Sequence, residues 1–317
     1  STCRSASSAR NARWIGQNAS NADTPVQPLG TRWFHNPLLR LLWFGLLVVA
    51  LSVAALPVAL ATGANLSSLA TNAVLQIVVI GSAYLVLTLL IERRRPPFEL
   101  APSRAFALVI GLGIGAGLFL LCFAIIALAG GYRFEGVDDG YSWAVPLLVL
   151  GAGAGIAEEI LFRGVLFRLL EELVGSWLAA ALSGGLFGLA HLANPDATWW
   201  GALAIAVEAG LSFALLYGLT RSLWVCIGAH AAWNIVQGPV LGVPVSGSGF
   251  SDGWLATVSV GPDWLTGGTF GAEASPVTVL IMVAATVWLA LQIVRRDAAV
   301  APRWTRKRRL RERAAAA

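Results

Sequence analysis

Apolar runs of bilayer-crossing length constrain this chain more than any other feature. They fall at 39–61, 70–91, 104–129, 143–170, 176–193, 198–219, 222–240 and 276–294. A helix needs ~20 such residues, at ~1.5 Å rise each, to span the hydrocarbon core. The fourth run gathers charge in its second half, and the fifth is short and ends at the helix-breaking Asn194-Pro195-Asp196. Within lipid the backbone must satisfy its own hydrogen bonds, so the runs predict helices. Composition agrees: 57% of 317 residues are hydrophobic, 12% are charged and the mean hydropathy is +0.72, outside the range of a soluble domain. The expected fold is all-α, a polytopic membrane helical bundle of about eight transmembrane segments, with no internal repeat.

Loop charge gives an independent check on that count. With Arg93-Arg94-Arg95 placed in the cytoplasm, Arg32, Arg40, Arg163, Arg168, Arg221 and the C-terminal tail all fall on the same side. The loops 130–142 and 241–275 fall outside and hold Glu135, Asp138, Asp139, Asp252, Asp263 and Glu273 with one Arg133. This parity predicts a multi-pass protein of the cell membrane, in bacteria the inner membrane, with both termini cytoplasmic. The net charge of +5 therefore reflects topology rather than nucleic-acid binding. Beside a span, the tail residues Arg303, Arg306, Lys307, Arg308, Arg309, Arg311 and Arg313 mark the inner face or bind anionic membrane lipid. Cys3, Cys122 and Cys226 are too scattered for a disulfide framework or a metal motif, and the latter two read as packing residues.

The organisation expected is a polar, disordered cytoplasmic start over 1–36, three spans over 37–142, a catalytic core over 143–240, an outer loop over 241–275, and a last span with basic tail over 276–317. Trp254 and Trp264 make a plain interfacial loop the preferred reading of 241–275, ahead of a substrate gate.

Ionisable groups inside spans are costly and point to function. Nearly all of them lie in three stretches: Glu158-Glu159 with Arg163, Phe187 with His191, and His230 with Asn234. His35 lies in the polar start. Adjacent helical residues point ~100° apart, so Glu158 and Glu159 do not face one cavity squarely. Glu159 and Arg163 are four apart in the favourable order, which predicts a structural ion pair and leaves Glu158 free. A second partnership for Glu158 with Arg163 or Arg168 is the bland alternative. His230 and Asn234 share a face, and each could equally be a helix-packing hydrogen bond. Depth favours function, because Glu158 and His191 lie 17 and 16 residues from Gly175, where the chain is expected to reverse. For His230 to reach the same height, the 164–176 tip must project ~10 Å beyond the membrane at helical rise. The chemistry expected is a water held and deprotonated by Glu158 and His191, with His230 and Asn234 stabilising the oxyanion of an attacked peptide carbonyl. Glu208 and Ser212 share a face of the sixth span, but structural pairing explains Glu208 at least as well as a cavity role.

These three stretches resemble the CPBP family, the CAAX proteases and bacteriocin-processing (Abi) enzymes. Its motifs EExxxR, FxxxH and HxxxN match Glu158-Glu159 with Arg163, Phe187 with His191, and His230 with Asn234, in order and spacing. The segment from Trp233-Asn234 to Val245-Ser246-Gly247 is similar to the bacterial branch. The resemblance implies an intramembrane endopeptidase of the CAAX-processing type acting on a protein or peptide. It makes Glu158 the water-activating glutamate, His191 its partner, His230 and Asn234 the oxyanion side, and Glu159 and Arg163 supporting residues.

Two His and one Glu can also hold a catalytic metal, so a divalent ion such as zinc bound by Glu158, His191 and His230 stays open. The chain lacks the His-Glu-x-x-His helix of zinc peptidases, which favours glutamate-dependent hydrolysis without tightly bound metal. Two rivals stand beside the enzyme. A non-catalytic scaffold or bacteriocin-immunity protein could use the same polar face for recognition. A transporter fits less well, because the polar residues cluster in 143–240 without a matching half.

Overall fold

The computed structural model describes residues 36–94 and 97–316. Cys3, Arg32, His35, Arg95 and the expected disordered start up to residue 35 lie outside the described residues. The helices are α1 Pro37–Ala61, α2 Leu69–Ile91, α3 Ala107–Leu128, α4 144–174, α5 176–193, α6 Trp199–Thr220, α7 223–240, α8 Pro276–Arg295 and a basic α9 Arg303–Ala316. Among the described residues, six helices are long and apolar enough to cross a membrane. The longest of these, Ala144–Ala193, is two arms, α4 and α5. Gly175, at φ 79° and ψ 169°, breaks the helix, and Ser183 then packs back to donate to the Phe162 carbonyl at 3.2 Å. Only glycine adopts that φ without strain. Helix α7 falls short of the apolar criterion because His230, Asn234 and Gln237 lie in it. Eight helical arms thus follow the eight apolar runs, in a polytopic all-α bundle.

Lipid-facing surface is easily recognised. Leu38, Leu42, Leu46, Val49 and Val53 of α1 stand exposed, as a span's outer face should. Inside, α3 and α7 pack at backbone distance. A Cβ on Gly115 would fall 2.0 Å from the Ala229 carbonyl oxygen, and one on Gly111 would fall 2.2 Å from that of Val225. Small residues permit such an approach where lipid supplies no hydrophobic drive between helices.

One end of the bundle is laced by ions. Glu92 accepts from Arg40 and Arg168, both at 3.0 Å, and Glu99 accepts from Tyr84 at 2.8 Å and from Arg94. Arg221 donates to Glu171 at 2.9 Å. Arg168 and Glu171 of the 164–176 tip are buried in these pairs, each against an opposite charge just beyond the end of another helix.

At the opposite end the loops do more than connect. β1 Tyr132–Val137 pairs antiparallel with β2 Leu255–Ser259, with Tyr132 opposite Ser259 and Val137 opposite Leu255. This ribbon places the 130–142 and 241–275 loops on one side, and neither strand was legible in the short, turn-rich sequence. Nor is 241–275 a plain interfacial loop. Trp254 and Trp264 are exposed, but Ser246 and Glu273 turn inward to a cavity between the helices.

Candidate active site

Helix α4 delivers Glu158, Glu159 and Arg163, and it does so through wide π-type turns over Leu147–Glu158 and Ile160–Phe167. Such turns concentrate at functional sites because they rotate side chains out of the α-helical phase. Glu159 and Arg163 are both fully buried and paired, with Arg163 Nη1 donating to Glu159 Oε1 at 2.7 Å. Arg163 Nη2 donates to the Ala209 carbonyl at 2.6 Å, and the guanidinium lies 4.6 Å from the Phe187 ring centroid. One cation thereby fixes α4 against α5 and α6. Such a pair is expensive to bury and more expensive to break.

Glu159 Oε1 also lies 2.9 Å from His230 Nδ1. A carboxylate accepts, so the ring nitrogen is the donor and the imidazole orientation is set. Glu158 is different. Each glutamate has a buried Oε2 with no hydrogen-bond partner among the described residues, but Glu159 Oε1 holds Arg163 and His230 whereas the Glu158 carboxylate makes no hydrogen bond at all. His191, at the end of α5, has Nδ1 2.9 Å from the Phe187 carbonyl oxygen. That carbonyl can only accept, so Nδ1 carries the proton and Nε2 of the neutral ring keeps its lone pair. Asn234 sits one turn beyond His230 and gives one amide hydrogen to the Leu150 carbonyl at 3.1 Å, leaving the other to spare.

A small, partly open cavity collects His191, His230 and Asn234 with Phe187, Phe213 and Trp233. Glu158 and Glu159 are not among its lining residues. The acids that do line it are Glu208 of α6 and Glu273, which precedes α8. Glu273 accepts from Ser246 N at 2.6 Å, Ser246 Oγ at 2.9 Å, Gln237 Nε2 at 3.1 Å and Trp233 Nε1 at 3.3 Å. Burial pushes its carboxyl up, while the Ser246 and Gln237 donors pull it back. Glu208 has no such support. It is 3% exposed, and neither carboxylate oxygen has a hydrogen-bond partner among the described residues. The pairing expected for it is absent, since Ser212 is bonded to Thr286 and to the Val207 carbonyl instead.

Glu208 carries a sequence signal, an acid within an apolar span, but in sequence alone structural pairing explains it at least as well as a cavity role. For Ser246 and Glu273 no signal existed, because a loop residue's inward turn leaves no periodic trace. Among the described residues, no three His, Cys, Asp or Glu side chains are grouped to hold a metal ion. Glu158, His191 and His230 do not form a ligand cage in this arrangement.

Fold and site together define a multi-pass helical membrane protein with a buried Glu/Arg/His/His/Asn cluster beside an inner cavity. Residues 140–236 match the family model described as type II CAAX prenyl endopeptidase Rce1-like. Over 93 residues the chain is 33% identical to the Bacillus subtilis (strain 168) protein named "Putative membrane peptidase YdiL", a stretch covering 29% of this chain and 36% of that protein. The chain thus spans about a third of the length of the curated relative it matches. No solved structure matches significantly. The resemblance to CPBP-family proteases drawn from the three motifs is borne out over this segment.

Proposed function

We propose that the protein is an intramembrane endopeptidase of the CAAX-processing type that hydrolyses a peptide bond with water activated by Glu158 and His191. The observation that carries this reading is the unequal treatment of adjacent glutamates. One oxygen of Glu159 is committed to Arg163 and His230, while the Glu158 carboxylate makes no hydrogen bond among the described residues. A carboxylate committed to no other donor is free to take a proton from water.

In the proposed reaction His191 Nε2 accepts one hydrogen of the water and Glu158 takes the other proton as the water oxygen attacks the carbonyl carbon. The developing oxyanion accepts from the spare amide hydrogen of Asn234, and from His230 Nε2–H when both ring nitrogens carry protons. The proton on Glu158 then passes to the leaving nitrogen as the C–N bond breaks. Glu159 and Arg163 position His230 and take no proton themselves.

Lipid, a protein or peptide substrate and both termini in the cytoplasm belong to the same proposal. Support for the family comes from the 140–236 match, and support for the orientation comes from the loop charges. Replacing Glu158 or His191 by alanine should lower peptidase activity ~10²–10⁴-fold, the range of a general base. A scaffold or immunity protein would keep its phenotype in both variants.

A further inference from the structure

The cavity holds more acid than the proposed reaction uses. Glu158 and Glu159 account for the water and for Arg163, yet Glu208 and Glu273 supply the cavity wall. Arg163 is spent on Glu159 and the Ala209 carbonyl. Glu273 is already served by donors from Ser246, Gln237 and Trp233. Glu208 is buried beside it with both oxygens unpartnered. An unsatisfied buried carboxyl is costly, and a wall of two acids compounds the cost.

A ligand that brings hydrogen-bond donors and positive charge into the cavity would satisfy the unpartnered oxygens of Glu208. A multivalent metal is a poor match, because no three suitable ligands are grouped among the described residues. A single organic cation needs no such cage. Its hydrocarbon stem would also suit the aromatic and aliphatic lining of Phe187, Phe213, Trp233, Ile205 and Met282. We propose that Glu208, with Glu273 behind it, is a specificity subsite for a lysine or arginine side chain of the substrate, set next to the His191, His230 and Asn234 wall. The proposal rests on the hydrolase reading for the identity of the ligand as a substrate.

The test uses purified full-length protein in neutral detergent. Quenched, alanine-rich peptides carry one Arg, placed in turn at each position, and each is paired with the same peptide carrying neutral, isosteric citrulline. Cleavage is followed by fluorescence, and binding of labelled versions by anisotropy. At one position the Arg peptide should exceed its partner by about tenfold in kcat/KM and in affinity, the value of one charge-assisted bond. In Glu208→Gln the ratio should collapse towards one, and in Glu208→Asp it should persist in part. Equal handling of the paired peptides by the unmodified protein, or an undiminished ratio in Glu208→Gln, would overturn the subsite. Because binding needs no turnover, the two readings separate. Arg-selective binding without cleavage keeps the subsite and removes the hydrolase, whereas unselective cleavage does the reverse.

Discussion

Arg163 and Glu159 are fully buried ions, and each is the other's partner. Replacing Arg163 by leucine leaves the Glu159 carboxylate with only His230, and should cost about 3–5 kcal/mol of stability, read as a loss of thermal or denaturant resistance in detergent. Glu158→Gln should leave that resistance unchanged, because Glu158 Oε2 has no hydrogen-bond partner among the described residues. The division of labour between these neighbours was legible in sequence, since i,i+4 spacing in the favourable order is a physical statement about a helix face. Their relation to the cavity was not. Nothing in the spacing says that Glu208 stays unpartnered while Ser212, on the same face, bonds to Thr286. Pairing across helices depends on rotations that a single span's sequence does not encode.

Among the elements, the contact between α3 and α7 is the most exacting, and α7 carries His230 and Asn234. Gly115→Ala would set a methyl 2.0 Å from the Ala229 carbonyl oxygen, so α7 must move. The expected cost is about 1–3 kcal/mol or more, together with a loss of activity larger than an equally destabilising lipid-facing substitution causes. At the other end of the bundle, Glu99 is buried, yet Arg94 and Arg168 hold its carboxyl below the ordinary range. A depressed folded pKa gives stability that is present above the unfolded value of about 4.3 and lost as pH falls through the folded one. Melting temperature should therefore drop on acidification below about pH 4, and Glu99→Gln should lower the neutral-pH value and flatten that dependence. Helix existence was the most legible part of the fold, since apolar length and the Gly175 reversal needed no partner to be read. The β1–β2 ribbon was hidden because its register joins residues more than a hundred positions apart.

For the whole molecule, the ribbon puts the loops 130–142 and 241–275 on one side, as even spacing of membrane crossings requires. Loop charge parity predicts that this side faces outward. With the native cysteines removed, Asp252→Cys should react with an impermeant maleimide on intact cells, and Glu312→Cys only after permeabilisation; the reverse pattern would invert the orientation. The central claim is hydrolysis by Glu158 and His191, and its most direct measurement uses protein reconstituted in liposomes with a peptide library, the new termini being mapped by mass spectrometry. Native protein should produce discrete new termini, and Glu158→Gln should lower their rate at least ~10²-fold while eluting and melting like the parent. A native rate in Glu158→Gln, or no new terminus from any peptide with the native protein, would contradict the account.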